Sequence, residues 1–217
     1  MKKAILRDAA ILEAIDLCGV MDTEQLTELL FKSPSGKRKC QERMKSLYER
    51  GLVKKTRLSL NTPTVYYQGK LTGLPFHNLG LSWIYVWFNR RPGEKILTWE
   101  LDQLEEFGLK VDVLCSTYIP MTKEVRWYII EYCRGSVSKN KYLKVSNCDE
   151  LYLKEGFPNS KLMKRLDGAV RFPKAILVTD SMKHGAKIKA LVAGSKTPVK
   201  YDVNLIDDII REGSVCL

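Results

Sequence analysis

"GKRKCQERMKSLYERGLVKKTRLSLNTPTVYYQGK", residues 36–70, decides how the first half of this chain is read. Cys40, Met44, Leu47 and Gly51 recur at intervals of four, three and four, so they share one face of a helix. Gly51 is the expected stop, because glycine takes the left-handed conformation that ends helices. The chain then enters two short β-rich runs, "LVKKTRL" (52–58) and "TVYYQGK" (64–70), with the turn signal "SLNTP" (59–63) between them.

Upstream, "KSPSG" (32–36) breaks the chain, and "DTEQLTELLF" (22–31) reads as a helix. Asp22 is a good N-cap, and Gln25 stands three residues on, at capping-box spacing. A first helix is expected over Lys2 to Leu17, with Ile5, Ala9, Leu12 and Ile15 as its apolar face and Gly19 as its end. Three short helices followed by a hairpin predict a winged helix-turn-helix over residues 1–70.

The charge falls where that fold uses it. The whole chain, 217 residues, carries a formal +11. Such an excess points to a polyanion, nucleic acid before an anionic membrane surface, against a merely solvated basic surface. Residues 32–57 hold ten Lys or Arg against only Glu42 and Glu49. The third helix is therefore the candidate recognition helix. Lys37 opens it, and the face opposite Cys40 and Met44 carries Arg38, Gln41, Glu42 and Lys45. The N-terminal part of such a helix meets base edges in the major groove. Arg38 suits guanine and Gln41 suits adenine by bidentate hydrogen bonding. Lys54, Lys55 and Arg57 on the wing are placed to reach phosphates, which add affinity without sequence information. The competing reading is a winged helix used for protein contacts.

Residues 71–88, "LTGLPFHNLGLSWIYVWF", carry no charge. Pro75, His77 and Asn78 interrupt them, and the dense apolar part is too short for about 30 Å of hydrocarbon. A buried helix over 77–88 is expected, with Trp83, Tyr85, Trp87 and Phe88 in a core or at a seam between domains or subunits. "NRRPGE" (89–94) follows as a hinge. No secretory leader is read at the N-terminus, where Asp8 and Glu13 interrupt the apolar residues. The six cysteines show no CxxC spacing and there are only two histidines, so neither a zinc site nor a disulfide framework is expected. Reduced thiols, a cytoplasmic location and no membrane partner are the expectations.

The second half has an α/β texture. "LTWELDQLEEFG" (97–108) reads as a helix; "KVDVLCSTYIP" (110–120) and "VRWYIIEYC" (125–133) read as strands joined around "MTKE". "SKNKYLKV" (138–145) starts a helix, whole or broken by "SNCDE" (146–150). "KAILVT" (174–179) is a short buried strand, and "DSMKHGAKIKALVAG" (180–194) a helix capped by Asp180 or Ser181. That order is the order of a restriction-endonuclease-like core. A nuclease of this kind takes an aspartate from one strand end and a Glu-x-Lys pattern from the next, to hold magnesium and steady the charge on phosphate. Asp112 fits the first position and Glu131 the second, but Cys133 stands where the lysine belongs. Lys139, Lys141 or Lys144 can replace it from the following helix, and Glu100 or Glu105 can add an acid. No P-loop pattern is present, and two histidines leave little base chemistry.

Four passages, 11–31, 40–53, 65–88 and 111–145, resemble the replication-relaxation proteins of plasmids, phages and integrative elements of Gram-positive bacteria. The resemblance implies a winged helix joined to a divergent nuclease-like domain. It also implies a DNA-binding role in the replication, transfer or regulation of a mobile element. The second strand in that family typically ends E-x-D-r-g; Glu131, Arg134 and Gly135 match, while Cys133 departs where the second acid belongs.

The expected architecture is thus α+β: a winged helix-turn-helix DNA-binding domain (1–70), an apolar connecting helix and hinge (71–91), and a divergent nuclease-like α/β domain (92–217). The expected function is sequence-specific binding of double-stranded DNA in the regulation of transcription, replication or transfer, without enzymatic activity and without a cofactor. Two alternatives stand beside it: a magnesium-dependent endonuclease using Asp112 and Glu131, and an adaptor recruiting a replication or transfer protein. A homodimer on inverted repeats is expected, with helix 77–88 as a possible seam.

Overall fold

The computed structural model describes residues 2–71, 73–134, 143–167, 169 and 171–212. The chain is mixed α and β and divides into two compact units between Arg90 and Arg91.

The first unit runs α1 (Lys2–Cys18), β1 (Met21–Asp22), α2 (Thr23–Leu30), α3 (Gly36–Glu49), β2 (Lys54–Arg57), β3 (Thr64–Tyr67) and α4 (Pro75–Arg90). The three strands form one antiparallel sheet in the order β1-β3-β2. The capping box of α2 is complete: Gln25 N–H donates to Asp22 Oδ1 at 2.8 Å, and Asp22 N–H donates to Gln25 Oε1 at 2.9 Å. The α2–α3 turn is so tight that a Cβ at Gly36 would lie 1.9 Å from the Phe31 carbonyl oxygen. Helix α3 ends as expected. Gly51 takes φ +69°, Gly51 N–H bonds the Tyr48 carbonyl at 2.9 Å, and Leu52 N–H bonds the Leu47 carbonyl at 3.0 Å, a Schellman closure.

The core of this unit joins Ile11, Ile15, Cys18, Leu26, Cys40, Met44, Leu47 and Val86. The buried line of α1 is Asp8, Ile11, Ile15 and Cys18. The expected face of Ile5, Ala9, Leu12 and Ile15 is therefore turned: Ile5 is 60% exposed and Ala9 is exposed. The physical reason is Asp8, which the Arg43 and Arg50 guanidinium groups of α3 draw into the interior. Helix α4 also departs from the expected connector. It packs inside the first unit, where Gln25 Nε2 donates to the Leu79 carbonyl at 2.8 Å and the Ser82 hydroxyl donates to the Val20 carbonyl.

The second unit runs β4 (Lys95–Gln103), β5 (Val111–Ile119), β6 (Glu124–Cys133), α5 (Leu143–Glu155), α6 (Lys161–Arg165), β7 (Lys174–Thr179), α7 (Met182–Ala193), β8 (Tyr201–Leu205) and α8 (Ile206–Glu212). One five-stranded sheet has the order β4-β5-β6-β7-β8. The first three strands are antiparallel neighbours, and the last two join in parallel. The helix expected over 97–108 is a correction: its first part is strand β4, and only Glu105–Phe107 turn as a 3-10 helix. Leu97, Leu101 and Leu104 fit helical spacing, but pairing with β5, Trp99 opposite Cys115, outweighs that pattern. The helix expected from residue 138 is seen as α5, which runs unbroken through "SNCDE". Residues 138–142, with Lys139 and Lys141, lie outside the described residues.

Helix α5 buries Cys148 and Leu151 against a core that includes Leu114, Ile129 and Ala175. Asp149 also pins it, accepting hydrogen bonds from the hydroxyls of Ser195 at 2.9 Å and Tyr201 at 2.7 Å, and from Thr197. Ser181, of the two expected candidates, caps α7, accepting from His184 N–H.

Candidate functional site

Two groups of residues were singled out by their chemistry. In the first unit, the α3 face opposite the Cys40–Met44–Leu47 line is exposed. Lys37, Arg38, Gln41 and Lys45 all stand on the surface, with Arg38 73% exposed. Three of them hold loose ion pairs: Lys37 with Glu24 at 3.3 Å, Arg38 with Glu42 at 3.2 Å, and Lys45 with Glu49 at 3.8 Å. Exposed pairs of this kind contribute about 0–1 kcal/mol, so exchanging the acid for a phosphate costs little.

Lys54, Lys55 and Arg57 are exposed on β2. The Lys54 ammonium donates to the Gly69 carbonyl at 2.7 Å. Lys55 lies over the Tyr48 ring at 4.2 Å, so the hairpin stands beside the C-terminal end of α3. The residues picked from sequence on both elements are thus exposed, and the Lys55–Tyr48 contact links β2 to α3.

Two cations of the basic run are used differently. Arg43 binds Asp8 through Nε and Nη2, the latter at 2.6 Å, and Arg50 adds Nη1 at 3.0 Å. Burial pushes the Asp8 carboxyl up, but the two guanidinium groups outweigh it and leave its pKa lowered. Sequence reading counted Arg43 and Arg50 only as surface charge. Their seven-residue spacing on α3, with Asp8 three residues before Ile11, was the available signal.

In the second unit, Asp112 is the second residue of β5 and Glu131 lies near the end of β6. They face each other one step beyond the Val113–Ile130 pair of the antiparallel register. Asp112 Oδ2 accepts from Tyr132 N–H at 2.8 Å. Glu131 is 1% exposed. The Lys144 ammonium, from the first turn of α5, lies 2.8 Å from each Glu131 carboxylate oxygen and 3.2 Å from the Lys110 carbonyl. So of the three lysines named from sequence, Lys144 is at the pair. Cys133 is buried, a small apolar filler at the expected lysine position.

Glu100 and Glu105 do not serve as extra acids on a preceding helix. Glu100 lies on β4 at 3.9 Å from Arg165, and Glu105 lies 3.5 Å from Lys110. Among the described residues no group of three or more His, Cys, Asp or Glu is arranged to hold a metal ion.

Burial is the largest influence on Glu131 and pushes its carboxyl well up; the Asp112 carboxylate adds to this and Lys144 opposes it. Burial pulls the Lys144 ammonium down, but Glu131 and Asp112 more than offset it, and its pKa is raised. The two directions pull against each other: Lys144 is held charged by an ionised Glu131, while burial and Asp112 favour the neutral carboxyl. Two carboxylates and one ammonium leave one negative charge in a low dielectric, and a retained proton relieves it.

Among the described residues no helix is long and apolar enough to cross a membrane. The five described cysteines, Cys18, Cys40, Cys115, Cys133 and Cys148, are buried and form no disulfide with one another. Compared with known families, characterised proteins and solved structures, the chain matches none.

Proposed function

We propose that this chain is a sequence-specific double-stranded DNA-binding protein, with its first unit acting as a winged helix-turn-helix. The observation that carries the reading is the exposure of Lys37, Arg38, Gln41 and Lys45 on α3 and of Lys54, Lys55 and Arg57 on β2, with Lys55 of the hairpin lying over Tyr48 of α3. Helix α3 is its recognition helix, and the β2 cations take phosphates. The element order helix, strand, helix, helix, strand, strand over α1 to β3 supports the winged-helix reading. A role in transcription, replication or transfer of a mobile element follows from the resemblance to the replication-relaxation proteins. A homodimer on an inverted repeat belongs to the same reading; light scattering that finds only monomer, on and off DNA, removes it.

A second reading, a metal-dependent endonuclease, is favoured by Lys144. The sheet of the second unit, with its antiparallel trio and parallel fourth strand, supports a restriction-endonuclease-like ancestry, and Lys144 brings an ammonium to Glu131 although Cys133 took the usual place. Against it, that ammonium covers both oxygens of Glu131, leaving Asp112 as the other carboxylate of the pair. The pair as arranged does not fit a magnesium ion, which needs several oxygen ligands.

One gel separates the readings. The protein is mixed with labelled fragments of its own locus and with unrelated DNA, with and without Mn²⁺, and duplicate samples are treated with protease before loading. Selective shifts of intact fragments support the binder. Nicked or shortened fragments, abolished by Asp112→Ala, support the nuclease. No shift in any lane leaves the adaptor.

A further inference from the structure

We propose that the second unit holds duplex DNA through a contact of its own, the outward face of α7, where Lys183 and Lys187 take phosphates. The proposal rests on the DNA-binding reading of the first unit and adds a second contact to it. Residues 181–201 contain five lysines, at 183, 187, 189, 196 and 200, and no aspartate or glutamate. All five are exposed. Helix α7 is fixed by its opposite face. Gly185 and Ile188 are buried, and Ile188 joins Cys133, Val145 and Leu177. A Cβ at Gly185 would touch Leu205 and Thr179, each at 3.5 Å. At about 100° per residue, Lys183 and Lys187 stand together on the far side, beside the exposed Ala186 and Ala190. Among the described residues Lys183 and Lys189 enter no ion pair, unlike Lys37 and Lys45 of α3.

This placement works against the helix itself. A helix favours acids in its first turn and cations in its last. Helix α7 has no acid in its first turn, carries Lys183 there, and has no cation in its last turn. A sequence that breaks a local rule without a gain in folding marks a functional surface. The chemistry of the face selects the partner. Lysine is a point charge that binds phosphate without reading sequence. Duplex DNA offers a phosphate about every 3.4 Å of axis on each strand, and two lysines about 6 Å apart along α7 meet neighbouring phosphates. An acidic protein segment is held by apolar anchors as well as by charge. Ala186 and Ala190 offer none, and the exposed Met182 and Leu191 fall on opposite flanks of the lysine line. A duplex held by the first unit is already at high local concentration for a second contact on the same chain.

The test uses the full chain and labelled duplexes, from its own locus and unrelated, read by fluorescence anisotropy across a salt series. Lys183→Ala/Lys187→Ala is expected to reduce the slope of log affinity against log salt by about 2. At about 0.15 M salt the affinity falls roughly thirtyfold, for all duplexes alike. The variant melts at or above the parent, since a cation leaves the first turn of α7. Lys183→Arg/Lys187→Arg keeps the parental slope. So does Lys154→Ala/Lys161→Ala, which removes the same charge from exposed positions on α5 and α6. If the two alanine pairs lose affinity equally, the effect is one of net charge and α7 is no contact. If the α7 variant binds as the parent does while Lys54→Ala/Lys55→Ala weakens binding, the proposal is wrong and the reading of the first unit stands. If the parent binds no duplex, both fall. If it binds poly-glutamate instead, and the α7 variant does not, the face belongs to an acidic protein and the proposal is overturned.

Discussion

The Lys144 ammonium lies 2.8 Å from both carboxylate oxygens of Glu131, a residue buried to 1% exposure on the neighbouring strand. The lysine comes from a helix, whereas the sequence pattern called for it two residues after the glutamate, where Cys133 stands. Its removal leaves two facing carboxylates with no cation between them. Lys144→Met is expected to destabilise the chain by about 3 kcal/mol, near the low end for a broken buried pair because Lys144 is itself partly exposed. The loss is larger at pH 8 than at pH 5. Glu131 has a raised pKa in the folded state, so the cost of its charge is full at high pH and falls away as it takes up a proton. Thermal melting of parent and variant across that range checks both the size and the sign.

Asp8 holds α1 to α3 through Arg43 and Arg50. Asp8→Asn is expected to cost about 2 kcal/mol, since it leaves two guanidinium groups that are part-exposed and can be rehydrated. The folded-state pKa of Asp8 is lowered, so its contribution is complete above 3.8, the unfolded value, and disappears as pH falls through the folded one. Urea titrations should give a constant difference between parent and variant from pH 5 to pH 8, shrinking only in stronger acid.

Asp22 behaves in the opposite sense. Burial pushes its carboxyl up to about 6, against the hydrogen bond it accepts from Gln25. Asparagine caps a helix as well as aspartate and carries no charge to bury. Asp22→Asn is therefore expected to stabilise the chain by about 2 kcal/mol above pH 6, and the gain should shrink as pH falls from 6 and vanish below 3.8, where the carboxyl becomes protonated in the unfolded chain as well. A gain that persists in acid would show that desolvation of the charge is not its source.

On DNA, Lys54 and Lys55 are expected to act alike and without regard to sequence. Replacing both with Ala should weaken binding to every fragment and reduce the slope of log affinity against log salt by about 2. Arg38→Ala should instead relax preference at one base pair by about 1–3 kcal/mol, because its ion pair with Glu42 is loose enough to be exchanged for a base edge. Titration of a single-substitution fragment set distinguishes the two effects. An Arg38→Ala protein with the parent's preferences would remove α3 as the reader.

The elements of the first unit were legible because their signals are local. The Asp22–Gln25 capping box, the Cys40–Met44–Leu47 line and the Gly51 stop act between residues at most five apart, and the structure keeps each of them. The exposed cations of α3 and β2 follow once those faces are set. What lay beyond the sequence was decided by contacts across long separations. Residues 97–103 became a strand because β5 offered an edge to pair with, although their leucines also fit a helix. Asp8 turned the buried face of α1 because two arginines some 35 and 42 residues away needed an anion. Lys144, one of three nearby lysines, reached Glu131 because Asp149, Ser195 and Tyr201 fix α5 against the end of the sheet. A local motif fixes the backbone by hydrogen bonds within one turn; a buried charge is satisfied only by whichever opposite charge the tertiary packing brings to it.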